Sequence, residues 1–178
     1  MYMKKNRLTI SLLLILFFII HSCLREEPSY TDQLYNAYES EKGFFIFDIP
    51  SKLLGALIGS ETENNEIKEI VSSLQKIKVL VYHENEERKL SKKELFNSFD
   101  EYYTNLEYRE IATKKDSSDF VKVKLKQKND KTGEMIIIID NSDTFMSISL
   151  KGLFDEYTLT TLVKEENLEI IKTMYKNK

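Results

Sequence analysis

His83 stands beside Glu84, Glu86 and Glu87, and an imidazole among carboxylates is a setting from which a general base or a metal site can be built. Zinc and copper centres generally recruit several His or Cys ligands. This chain has two histidines, His21 and His83, and a single cysteine, Cys23. The spacing predicts a solvated loop at His83 with no metal and no cofactor. A Ser-His-Asp enzyme would have to use His83, and no serine lies in a Gly-x-Ser-x-Gly turn. Asp100-Glu101 and Asp155-Glu156 are adjacent pairs, which diverge on a helix, and they read as surface. Asp140-Asn141-Ser142-Asp143 offers oxygens to a cation but lacks the length, central glycine and distal glutamate of a calcium loop, so an Asx turn is expected. The five glycines are isolated, which excludes a Gly-rich phosphate loop. Lys122, Lys124 and Lys126 form a ridge that could meet an anionic ligand such as lipid headgroups or an acidic polysaccharide. Their alternation with Val121, Val123 and Leu125 predicts instead the wet face of a half-buried strand, where lysines discourage edge pairing. The weight of these readings is against an enzyme. The alternative is an envelope enzyme with a dispersed carboxylate and tyrosine site near His83 or Asp48.

Cys23 has a clearer setting. Lys4, Lys5 and Arg7 form a positive region, and Leu8 to Ile20 follow as an apolar run broken only by Thr9 and Ser11, the profile of a signal peptide. As a helix that run reaches about 20 Å, short of the roughly 30 Å hydrocarbon core that a spanning helix must cross. Ile20-His21-Ser22-Cys23 resembles a bacterial lipobox, with His21 in place of the usual small residue. Cleavage before Cys23 with acylation of its thiol, palmitate included, would tether the remainder to a membrane, since each buried methylene contributes about 0.8 kcal/mol. Arg25-Glu26-Glu27 is similar to the surface-export signal of Bacteroidota lipoproteins, with Arg25 where Lys is usual. The expected organisation is a signal peptide over 1–22, a tether over 23–30 and one domain over 31–178. The expected address is the cell envelope, at the outer membrane, facing the periplasm or the surface.

The chain has 178 residues, 42% hydrophobic and 31% charged, enough for one core. A lone cysteine excludes an internal disulfide. Its charge of −3 falls to about −6 once the basic leader is removed, the wrong sign for a nucleic-acid binder.

These groups must be carried by elements that the sequence partly spells out. Thr31 to Glu39 reads as a short helix capped by Thr31, and Phe44 to Ile49 as a buried strand stopped by Pro50. Leu53, Leu54, Leu57 and Ile58 give one helical stripe, ended by Gly59, and Ile67, Ile70, Val71 and Leu74 give another. Ile77 to Tyr82 is a strand. Ser91-Lys92-Lys93-Glu94 has capping-box spacing and opens a helix whose Leu95, Phe99, Tyr102 and Leu106 share a face. Beyond it the period becomes twofold, with strands at Tyr108 to Thr113, Phe120 to Lys126, Met135 to Ile139 and Phe145 to Lys151. The four isoleucines of Met135 to Ile139 indicate a central strand covered on both faces. Leu159, Leu162, Val163, Leu168 and Ile171 give a helical tail. The fold class expected is a single α+β domain, with an antiparallel-rich sheet of about five or six strands and helices packed on one face.

Tyr38 with Gly43-Phe44-Phe45 and Ile49-Pro50, the strand Ile77 to Val81, the capped helix from Ser91, and the run Met135 to Ile139 turning into Phe145 to Leu150 carry a resemblance. The chain resembles a family of small Bacteroidota lipoproteins defined as a domain of unknown function, DUF4252. The resemblance implies no catalytic residue or cofactor. The function expected is a lipid-anchored, non-catalytic binding, interaction or regulatory module, held to the membrane through Cys23 and facing an envelope protein or an anionic ligand.

Overall fold

A strand that is apolar at every position must be covered on both sides, and Met135 to Ile139 sit in such a strand at the interior of a sheet. The computed structural model describes residues 29–50, 72–84, 90–116, 119–129 and 132–155, with Thr158 and Thr161. In chain order its elements are α1 (Tyr30–Asn36), β1 (Phe44–Ile49), β2 (Leu74–His83), α2 (Lys92–Asn105), β3 (Arg109–Lys115), β4 (Phe120–Gln127), β5 (Thr132–Asp140) and β6 (Thr144–Leu153). The strands form one six-stranded sheet in the order β1-β2-β6-β5-β4-β3, antiparallel at every junction. This is the α+β architecture that the change of period predicts. The helices expected over 53–58 and 67–71 and the tail from Leu159 to Ile171 lie outside the described residues, Thr161 aside. No helix among the described residues is long and apolar enough to cross a membrane.

The twofold period of β5 divides its side chains between two cores. Met135, Ile137 and Ile139 pack with Ile77, Val79, Val123, Ile148 and Phe154. Ile136 and Ile138 turn the other way, joining Leu80, Tyr82 and Phe145 under Leu95, Phe96, Phe99 and Tyr103 of α2. Phe99 meets Phe145 edge to face at 4.9 Å, a geometry that suits the ring quadrupoles. Full burial of an aliphatic side chain contributes about 1.5–3 kcal/mol, so these facing rows dominate the stability of the sheet.

Both ends of α2 are closed by backbone chemistry. Ser91 Oγ accepts from the Glu94 amide at 3.2 Å, and Glu94 accepts from the Ser91 amide at 2.9 Å, the reciprocal capping box. At the far end the Glu107 amide donates to Thr104 O and the Tyr108 amide to Tyr103 O, both at 2.9 Å. This is a Schellman turn, and it places Glu107 at φ 64°, a left-handed position that glycine usually fills.

Several boundaries differ from expectation for identifiable reasons. The first turn of α1 is capped by Ser29, whose Oγ accepts from the Asp32 amide at 3.2 Å, rather than by Thr31. The helix also stops at Asn36. The amides of Ala37, Tyr38 and Glu39 bond three residues back, the tightened geometry of a helix end. Leu74 completes a helical stripe in the sequence but opens β2, opposite Gly152. The two chains approach closely there: a Cβ on Gly152 would lie 2.7 Å from Ser73 O and 3.0 Å from Leu74 Cα. The lysines of β4 do not face water. Lys124 is only 3% exposed, and Lys122 and Lys126 are half-buried, because α2 lies across that face and supplies the compensating charge.

Two substitutions test this backbone account in opposite directions. Glu107→Gly removes the left-handed penalty and is expected to raise the thermal midpoint, with a gain of up to about 1 kcal/mol. Gly152→Ala must displace backbone and is expected to lower it. Thermal unfolding by circular dichroism checks both.

Candidate functional site

Among the described residues, Lys124, Glu134, Ser147 and Ser149 are buried polar groups on the face of the sheet that α2 covers. Asp100 and Thr104 are four residues apart and so share a helix face. Lys122 and Lys124 are two apart on β4 and so share a sheet face. Lys122 Nζ lies 2.6 Å from Asp100 Oδ2 and 3.2 Å from Glu110 Oε2. Lys124 Nζ approaches Asp100 Oδ1 to 2.5 Å. Its aligned hydrogen bonds, however, go to Thr104 Oγ1 at 2.5 Å and to Asp100 O at 3.1 Å, and Oδ1 itself receives no aligned donor. The Lys124 ammonium is thus shared among these oxygens, its short contact with Oδ1 being a charge-assisted pair. Lys126 completes the row by donating to Leu106 O at 2.7 Å, at the helix end where the macrodipole favours a cation.

Partial burial pushes the Asp100 carboxyl up, but hydrogen bonds and charge from Lys122 and Lys124 outweigh it and hold the group below its ordinary range. Lys122 shifts in the matching sense: burial pulls its ammonium down, and Asp100 with Glu110 more than restores it. Glu110 is held low first by the Thr113 hydroxyl, then, against some burial, by Lys122.

A second cluster lies on the same face of the sheet, on β5 and β6. Glu134 is 9% exposed; Tyr108 donates to its Oε2 at 2.9 Å and Ser149 to its Oε1 at 2.6 Å. Tyr35 donates to Ser147 Oγ at 2.8 Å and shares a hydrogen bond with Tyr103. Burial, followed by the neighbouring Tyr103, pushes the Tyr35 hydroxyl well above the usual tyrosine range, which makes it a poor acid that keeps its proton. Both oxygens of Glu134 already accept hydroxyl protons. No imidazole is within this cluster to activate Ser147 or Ser149. These groups fasten α2, α1 and the sheet through mutual hydrogen bonds.

The residues singled out in the sequence are not assembled into one site. His83 is exposed at the end of β2, its ring edge-on to Phe45 at 5.9 Å. Asp48 is exposed on β1 opposite Lys78, toward the other end of the same strand pair. Glu86 and Glu87 lie outside the described residues, as do Cys23, Arg25, Glu26 and Glu27. The Asx turn is present: Asn141 Oδ1 accepts from the Asp143 and Thr144 amides at 2.9 and 2.7 Å. Lys92 Nζ bonds Asn141 O and Ser142 O at 3.1 and 2.6 Å, so an ammonium takes the carbonyls a cation would want. Among the described residues no three His, Cys, Asp or Glu side chains are placed to hold a metal ion. Asp100 is a correction, being an internal ion-pair partner rather than surface. The β4 lysines are likewise committed to α2 rather than presented as an anion-binding ridge.

Glu134, Tyr108, Ser147 and Ser149 were not legible as a group. The available signal was parity. Glu134 falls in register with Ile136 and Ile138, so a strand covered on both faces must bury its carboxylate, and a buried carboxylate requires donors.

An antiparallel α+β sheet with a helix tied down by internal ion pairs and hydroxyls defines the class. The chain belongs to the family described as Domain of unknown function (DUF4252), whose model matches residues 38–162. No curated protein and no solved structure matches the chain.

The ion pairs set a pH window. Asp100 and Glu110 are depressed, so their contribution to stability is full above the unfolded carboxylate values of about 4 and is lost as pH falls through the folded values. Lys122 is raised, so its contribution is lost as pH rises past about 10. Asp100→Asn is expected to cost about 1–3 kcal/mol at neutral pH, because it leaves the Lys124 ammonium buried beside a neutral group. It also flattens the acid limb, and urea unfolding across pH measures both effects.

Proposed function

We propose that the protein is a lipid-anchored component of the cell envelope whose domain is a non-catalytic binding or interaction module, of the Bacteroidota lipoprotein type. One observation carries the reading of the domain. The buried ionisable and hydroxyl side chains under α2 are engaged with one another, whereas large apolar side chains, Phe45 and Phe47, stand in solvent. A domain that consumes its polar groups internally and displays rings outward is suited to association rather than to bond chemistry.

The address is supported by the basic segment Lys4 to Arg7, the apolar run Leu8 to Ile20 and the lone Cys23 behind Ser22. Acylated at Cys23, the domain would sit at the outer membrane, with Arg25-Glu26-Glu27 directing it to the cell surface. The partner class is an envelope protein. Growth with an alkyne analogue of palmitate is expected to label the wild-type chain and to leave Cys23→Ala unlabelled and released into the aqueous phase. Wild-type chain that takes no label contradicts the anchor. Glu26→Ala with Glu27→Ala is expected to reduce cleavage by protease added to intact cells, and unchanged cleavage contradicts the surface assignment.

A further inference from the structure

The two edges of the sheet are built differently. β3 is blunted as edge strands usually are, by Arg109, Lys114 and Lys115 and by a register shift between Glu110 and Ala112. β1 has none of these devices along Phe44 to Phe47, and its register on β2 is unbroken. Its one charge is Asp48. Phe45 and Phe47, 59% and 43% exposed, stand along it on one face.

The pattern of hydrogen bonds shows which groups the β1 edge offers. The His83 amide donates to Gly43 O at 3.0 Å, so Gly43, Phe45, Phe47 and Ile49 direct their amides and carbonyls to β2. The alternation of an antiparallel ladder then turns Phe44, Ile46 and Asp48 outward. The outward amide of Phe44 is already used, donating to Glu41 O at 3.3 Å. The amides and carbonyls of Ile46 and Asp48 remain without a partner among the described residues. Pro50, next in the outward series, has no N–H.

We infer that β1 pairs with β1 of a second copy of this chain, antiparallel about a two-fold axis through Phe47. In this register Ile46 exchanges both hydrogen bonds with Asp48 of the other copy, and Asp48 with Ile46, so the outward amides and carbonyls of these two residues are bonded in both strands. The positions that cannot bond, Phe44 with its amide engaged and Pro50 without one, fall opposite each other and end the ladder. Phe47 meets its own symmetry mate, and Phe45 meets Ile49, placing the exposed rings in one apolar row. This self-matching favours a second copy over a foreign strand, because a two-fold contact must present the same patch from both sides. A six-residue edge buries less than the roughly 1,200–2,000 Å² of a stable interface. The pair is therefore weak in free solution, and detection calls for a trap. It does not depend on the lipid anchor.

The register makes the trap specific. Opposed residues of a non-hydrogen-bonded antiparallel pair have Cα atoms about 4.5 Å apart, within disulfide range. In the full chain with Cys23→Ser, Phe47→Cys is expected to form a disulfide dimer several-fold faster under mild oxidation than either Phe45→Cys or Thr113→Cys on the β3 edge. Equal rates for Phe47→Cys and Thr113→Cys overturn the pairing, and Phe45→Cys matching Phe47→Cys overturns the register. A measurement on the unmutated chain guards against a folding artefact. Hydrogen exchange at the Ile46 and Asp48 amides is expected to slow as protein concentration rises, with Phe45 and Phe47 unchanged. Concentration-independent exchange at Ile46 and Asp48 contradicts the dimer.

Discussion

A helix laid across a strand that carries three lysines has to bring negative charge with it, and most of the arrangement between α2 and the sheet follows from that requirement. An ammonium taken out of water costs several kcal/mol unless it is paired and hydrogen-bonded. Lys122 and Lys124 meet the demand through Asp100, one turn before Thr104, and Lys126 through the Leu106 carbonyl at the helix end. The position of α2 is thereby specified along its axis as well as in depth. A slide by one turn would take Lys124 and Lys126 from their partners on the helix and leave Lys122 with Glu110 of β3 alone.

The hydroxyl cluster adds a second fastening of different character. Glu134 is held by Tyr108, which follows the Schellman turn of α2, and by Ser149 of β6. Tyr35 reaches Ser147 from α1. The return of the chain after α2 and the centre of the sheet are therefore linked through neutral donors to one carboxylate, and the first helix is tied separately to Ser147 of β6. Beneath them the facing aromatic and isoleucine rows supply the bulk of the cohesion, and the polar groups decide which of several apolar packings is adopted.

Much of the fold can be read in the residues themselves because local rules and tertiary context agree there. Ser91 and Glu94 cap α2 as their spacing requires, Met135 to Ile139 are covered on both faces, Asn141 turns the chain, and β1 spans the expected residues, though as an edge strand with Phe45 and Phe47 exposed rather than as the buried strand expected. The alternation of Lys122, Lys124 and Lys126 misleads because period two separates the faces of a strand without saying what covers each face. Leu74 misleads in a related way: a stripe at helical spacing runs into a strand, and one apolar residue fits either pattern. The cluster around Glu134 was hidden for another reason. Its members come from α1, the turn after α2, β5 and β6, and only the strand order β2-β6-β5 brings them together. His83 and Asp48 drew attention as isolated reactive types, and the register of β1 on β2 holds them apart.

If the internal ion pairs and hydroxyls are what hold α2 to the sheet, the helix and the central strands must open together. Native-state hydrogen exchange resolved by residue tests this directly, because cooperative units share one opening free energy. The account predicts that amides in the middle of α2, from Phe96 to Tyr103, exchange with the same free energy as Ile136 to Ile138 of β5 and Ser147 to Ser149 of β6. Exchange of α2 through a separate, much lower-energy opening, with β5 and β6 still protected, would contradict it.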